Sequence, residues 1–170
     1  MSAIPASTLK RLWAFDVAHV DVPRLRVAAR LPDTLQPREV LVIVEAWRAG
    51  DIDKRRAELR LVPAAEASEL QPLARYRKAG TGLHVYRLSE GDARRLETLR
   101  AEHAAGGGDS RGQISVAVKA CRRAALPNGP LPATTLLRTD AGAYFVLTDD
   151  LDMRAVASDT QLAADVPPCD

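Results

Sequence analysis

Residues 112–147, GQISVAVKACRRAALPNGPLPATTLLRTDAGAYFVL, constrain the fold more than any other stretch of the chain. Ile114, Val116, Val118 and Ala120 fall on one face, opposite Gln113, Ser115, Ala117, Lys119 and Cys121. A period of two is the signature of a half-buried β-strand. Asn128-Gly129-Pro130 breaks the run, and a second strand is predicted from near Thr134. Asp140-Ala141-Gly142 supplies another tight connection before a third strand at Tyr144-Phe145-Val146-Leu147.

The same alternation recurs upstream. Trp13, Phe15 and Val17 alternate with Ala14 and Asp16. Leu25, Val27, Ala29 and Leu31 interleave with Arg24, Arg26, Ala28 and Arg30, and the arginine row reads as a solvated strand face that discourages edge pairing. Val40 to Trp47 is apolar on both faces apart from Glu45, as expected of a central strand. Gly50-Asp51-Ile52-Asp53 turns the chain into Ala57, Leu59 and Leu61, and a further strand is expected over 82–86. Residues 64–80 read as a loop with a short helical turn, and 153–157 as a last short strand.

One helix stands out. Ser89 and Asp92 have the S-x-x-D spacing of a capping box, Leu88 and Ala93 occupy staple positions, and Ala93, Leu96, Leu99 and His103 follow helical spacing up to Gly106-Gly107-Gly108. About eight or nine strands with one inserted helix near 89–105 fit a mainly β fold, an antiparallel β-sandwich of immunoglobulin-like type. The alternative is an α+β domain with a single curved sheet covered by the helix. The expected organisation is a flexible N-terminus at 1–8, one domain over 9–157 and a C-terminal tail at 158–170.

No motif announces chemistry. Gly80-Thr81-Gly82 lacks a third glycine and precedes a strand, so it does not form a phosphate cradle. Asp149, Asp150 and Asp152, with Asp140, supply hard oxygens suited to calcium, yet the EF-hand glycine and closing glutamate are missing; an acidic turn explains them better. His19 lies between Asp16 and Asp21, where an acid orients an imidazole, but no nucleophile accompanies it. His84 and His103 read as packing residues. Arg75-Tyr76-Arg77-Lys78 is read as a solvated basic loop, because single-stranded nucleic-acid platforms need several aromatics and the chain has only 4%. The charge balance, 24 basic against 22 acidic, offers no nucleic-acid stripe either. Leu126 to Pro132 reads as a stiff loop between strands. No cofactor and no catalytic, cofactor-binding or metal residue is assigned.

Cys121 and Cys169 are the only cysteines. Two readings stand: a disulfide pinning the tail to the sheet in an oxidising compartment, or two separate thiols in a reducing one. The start MSAIPASTLKRLW shows no hydrophobic signal core, which read literally means a cytoplasmic protein; the alternative is a mature domain whose export segment has been removed. No apolar stretch reaches membrane-spanning length.

Ala120-Cys121-Arg122, Gly129-Pro130-Leu131-Pro132, Leu137-Arg138-Thr139, Tyr144-Phe145-Val146-Leu147 and Asp150-Leu151-Asp152 together resemble the C-terminal part of uncharacterised proteobacterial envelope lipoproteins. Phe15-Asp16, residues 25–32 and the helix from Ser89 are compatible with that group, although no lipobox cysteine is present. The resemblance implies a periplasmic or outer-membrane-associated protein and carries no activity with it. The function expected is a non-catalytic binding or interaction module whose partner is another envelope protein or a surface component. A small-ligand carrier, or an enzyme with a site built from scattered residues, is the alternative.

Overall fold

The structure is a computed structural model that describes residues 16–106 and 110–170. Seven strands form the sheet: β1 (Arg26–Pro32), β2 (Leu35–Arg48), β3 (Arg55–Pro63), β4 (Thr81–Leu88), β5 (Ser110–Arg122), β6 (Pro132–Arg138) and β7 (Phe145–Asp152). Their order is β5-β2-β3-β4-β1-β6-β7, and every neighbouring pair is antiparallel. Four helices accompany them: α1 (Ala67–Leu70), α2 (Glu90–Ala105), α3 (Met153–Val156) and α4 (Asp159–Asp165).

The mainly β, antiparallel expectation holds, but the described strands do not divide into the two stacked sheets of an immunoglobulin-like sandwich. One continuous ladder curls into a half-barrel. Its middle is the short β3–β4 pairing, only Leu61 to Pro63 against Tyr86 to Leu88, which lets the two wings fold towards each other. The single curved sheet is the closer description. The strand count falls short at both ends. Val17–His19 is a 3-10 turn capped by the Asp16 carboxylate, and Met153–Val156 is a helical turn capped by Asp152. Both aspartates accept backbone N–H bonds that favour a helical start over strand pairing. Trp13, Phe15 and residues 1–8 lie outside the described residues.

The concave face holds the main core. Val27, Val40, Val42, Val44, Leu59, Leu61, Tyr86, Leu88, Ile114 and Leu137 meet Leu96 and Leu99 of α2. The convex face of β4, β1 and β6 is covered as well: Ala28, Val85 and Leu136 pack under Ala64, Leu73 and Tyr144. Val27, Ala28 and Ala29 are therefore all fully buried although their side chains alternate in direction. Central strands covered on both faces lose the in-out pattern that makes strands legible.

A third cluster closes one end of the half-barrel, where Leu31, Leu35, Ala120 and Leu131 meet Leu162 and Val166. Leu162 belongs to α4, so 158–170, expected as a tail, carries a helix capped by the Ser158 hydroxyl and seated on the core.

The start of α2 is stitched to β3. Ser89 Oγ accepts from the Asp92 N–H at 3.3 Å, as the capping spacing predicts. The reciprocal bond goes elsewhere: Asp92 Oδ2 accepts from the Arg60 N–H at 2.7 Å, and the Ser89 N–H donates to the Arg60 carbonyl. Burial pushes the Asp92 carboxyl up, but the Arg60 N–H and the Arg95 guanidinium outweigh it and hold it below the usual carboxylate range. We expect Ser89→Ala to cost about 1 kcal/mol in urea unfolding, the typical loss of a hydroxyl cap. Asp92→Ala should cost more, because it also frees a strand amide.

Candidate functional site

The arginine row of β1 is not solvated. Arg26 and Arg30 point to the convex face, under the segment that follows β3. Arg26 holds Glu69 of α1 through three bonds, Nε to Oε1 and Oε2 at 3.1 and 3.0 Å and Nη2 to Oε1 at 3.0 Å. The Arg26 guanidinium beside Glu69 holds its carboxyl below the usual range, against the opposing effect of burial. This pair clamps the covering segment to the sheet. A paired guanidinium tolerates such burial because its fork and the carboxylate satisfy each other.

Arg30 is only 8% exposed and spends its donors on three different segments. Nη1 donates to the Tyr76 carbonyl at 2.7 Å, and Nη2 donates to Thr134 Oγ1 at 3.0 Å and Asp150 Oδ1 at 2.8 Å. Lys78 Nζ donates to the second carboxylate oxygen, Asp150 Oδ2, at 3.0 Å. These hydrogen bonds, Lys78 first and then Arg30, hold the Asp150 carboxyl below its ordinary value. Asp150 has φ 45°, and its N–H donates to Thr134 Oγ1. Aspartate visits the left-handed region more readily than bulkier residues. The kink accompanies a shifted β6–β7 register around Thr135 and turns the carboxylate over the sheet.

Beside this cluster lies an open cleft of about 460 Å3, lined by Leu70, Arg77, Lys78, Ala79, Thr81 and Leu83. Its lining combines two leucines with two cations, of which Lys78 is already paired with Asp150. A second cleft, of about 420 Å3, opens at the far end between the β2–β3 hairpin and α2. There Lys54 Nζ sits 4.3 Å from the centre of the Trp47 ring, and Arg48 Nη2 donates to the His103 carbonyl at 3.1 Å, capping the C-terminal end of α2. A Cβ on Gly106 would fall on the Arg48 guanidinium, so any other residue there would push that side chain from its place.

The acids weighed as calcium ligands, and read instead as an acidic turn, serve separate bonds. Asp140 accepts from the Gly142 N–H at 2.6 Å, and Asp152 from the N–H groups of Leu131 and Arg154 at 2.9 and 3.0 Å. Asp149, 61% exposed, lies 3.7 Å from Arg30. Among the described residues, no group of three His, Cys, Asp or Glu side chains could hold a metal ion.

The histidines are likewise separate. His19 Nδ1 meets Asp16 Oδ2 at 2.9 Å on an exposed turn. His84 alternates with Tyr86 and Leu88, so it faces the concave side near Arg123, and burial followed by that charge pushes its imidazole down. His103 is buried on α2. Tyr76 is occupied by its neighbour: the Arg75 guanidinium lies 4.8 Å from the ring centre and donates to its hydroxyl. In the proline-rich loop Leu131 is fully buried, and the Pro127 carbonyl accepts from Arg154.

Cys121 and Cys169 are joined in a disulfide with their Cα atoms 5.0 Å apart. Backbone bonds reinforce the junction. The Arg122 N–H donates to the Pro167 carbonyl, and the Cys169 N–H donates to the Arg122 carbonyl, both at 2.8 Å. Arg122 Nη1 adds a bond to the Val166 carbonyl.

Sequence reasoning located the cysteine pair but missed the Arg30–Asp150–Lys78 cluster. No local signal marked it, because Arg30 and Lys78 lie 120 and 72 positions from Asp150. No helix of the described residues is long and apolar enough to cross a membrane. Comparison with known proteins finds no family model, no curated relative and no solved structure that matches this chain.

Proposed function

We propose that this protein is a binding module of the bacterial envelope, periplasmic or outer-membrane-associated, that engages another envelope protein or a surface component without converting it chemically. The observation that carries this reading is the Cys121–Cys169 disulfide. It closes a helix-bearing C-terminal segment over the core, and such bonds persist chiefly in oxidising compartments. The resemblance of 120–152 to envelope lipoproteins points the same way.

A second reading, a small-ligand carrier, draws on the cleft lined by Arg77, Lys78, Leu70 and Leu83. In that reading the cargo is an anion with an apolar tail.

The test is the intact mass of the protein taken from envelope and soluble fractions of its native host, with and without reduction. The expected result is a gain of two hydrogens on reduction and an envelope location. Two free thiols in the soluble cytoplasmic fraction would overturn the envelope reading.

A further inference from the structure

Asn128 is the only asparagine in the chain, and Gly129 follows it. Asparagine is among the residues that heat and time degrade. The pair sets a side-chain amide, whose nitrogen can leave, beside a backbone nitrogen that no side chain crowds. Gly129 has φ 96°, a conformation that glycine adopts without strain. A Cβ built on it would meet no atom within 4 Å, so the space around the Asn128–Gly129 peptide is open.

The loop is held on either side of this peptide and not at it. On one side the Pro127 carbonyl accepts from Arg154 Nη2 at 2.7 Å. On the other, Leu131 is fully buried among Leu31, Leu162 and Val166, and its N–H donates to Asp152 Oδ1 at 2.9 Å. Asn128, Gly129 and Pro130 between them are exposed. Among the described residues, none bonds to the Asn128 side chain, to its carbonyl or to the Gly129 N–H.

We propose that Asn128 is a site of spontaneous deamidation in the folded protein, with water as the only co-reactant. The Gly129 nitrogen attacks Cγ of Asn128 and gives up its proton. The N–Cγ bond forms, the Cγ–Nδ2 bond breaks, and the amide nitrogen leaves with that proton as ammonia. Water then opens the resulting five-membered succinimide. Opening at Cγ leaves aspartate; opening at the backbone carbonyl leaves isoaspartate, in which the chain runs through Cγ. Nothing is oxidised or reduced. Either product adds one carboxylate, so the formal net charge falls from +2 to +1. The isoaspartyl form also adds a backbone carbon to the short span between the Pro127 and Leu131 anchors. No part of the fold has to open first, because the reacting atoms lie where there are no backbone bonds to break. This inference does not depend on the envelope reading.

The test holds the oxidised full chain at physiological pH and temperature for weeks, beside the same chain unfolded in guanidinium chloride. Intact mass and peptide mapping follow both samples. The expected result is a gain of about one dalton per molecule, the exchange of an amide for an acid. It should be confined to the peptide carrying Asn128 and divided between aspartyl and isoaspartyl forms. The folded chain should react within about tenfold of the unfolded rate, since no local opening precedes the attack. Asn128→Gln, which would have to close a larger ring, should hold its mass over the same period. A folded rate further below the unfolded one than that overturns the proposal. So does a mass gain that persists in Asn128→Gln.

Discussion

Reduction of the Cys121–Cys169 bond, or its removal by Cys169→Ser, is expected to lower unfolding free energy by about 4 kcal/mol. The bond closes a sequence separation of 48 residues, and that value is what loop-closure entropy assigns to a cross-link of such span. A second loss accompanies it. Leu162 and Val166 seal Leu31, Leu35 and Leu131, and the strap bonds at Arg122 and the Arg154–Asp159 pair then remain to hold them in place. Urea titration with and without reductant measures the total. Hydrogen exchange should show protection failing first across α4 and 166–169, before any of the central strands. Coincident unfolding curves for the two redox states would contradict this account of the C-terminal segment.

Arg30→Ala is the second large effect, expected at about 3 kcal/mol. Breaking a buried charged network by removing one member leaves the other groups desolvated without a partner. Here the orphan is the Tyr76 carbonyl, whereas Thr134 Oγ1 keeps the Asp150 N–H, and the Asp150 carboxylate, partly exposed and still bonded to Lys78, can turn to water. For that reason the loss falls short of the upper end for fully buried pairs. Arg30→Met should recover part of it by filling the same volume. Asp150→Asn separates charge from backbone, since asparagine also tolerates the left-handed conformation; it should cost less than Arg30→Ala.

Acidity acts on this cluster and on two other carboxylate pairings with the same sign. The carboxyls of Asp150, Glu69 and Asp92 are held low in the folded protein by their cationic or N–H partners. Their stabilisation is complete above the unfolded carboxylate value of about 4 and is lost as pH falls through the folded values. His84 is also held low, by burial, so the unfolded chain binds its proton first. Stability should therefore begin to fall below about pH 6.5 and drop more steeply at carboxylate pH. Thermal midpoints across pH 3–8 check the order, and His84→Gln should remove the first step alone.

How much of this was legible in the sequence depends on what covers each element. β5, with Ile114, Val116 and Val118 on one face only, shows its alternation plainly, as does α2 with its Ser89 cap. β1 misled because its polar face is covered by a segment from beyond β3, and the alternation of Arg26, Ala28 and Arg30 looks the same whether water or Glu69 lies opposite. The half-barrel was illegible for a different reason. Whether seven strands stack as two sheets or curl as one depends on the three-residue β3–β4 contact, to which local pattern gives no clue. The partners of Asp150 are equally hidden, as Arg30 and Lys78 lie 120 and 72 positions away.

The place of β1 in the sheet also sets the order in which the protein can be made. β1 lies between β4 and β6, and Arg30 on it bonds to Thr134, 104 positions later. While the chain is emerging from the ribosome, β2, β3 and β4 can pair as soon as they appear, but β1 keeps one side open until β6 arrives. Closure across so long a separation is entropically slow. From the emergence of β4 to that of β6, β1 thus presents one unpaired edge to wrong partners.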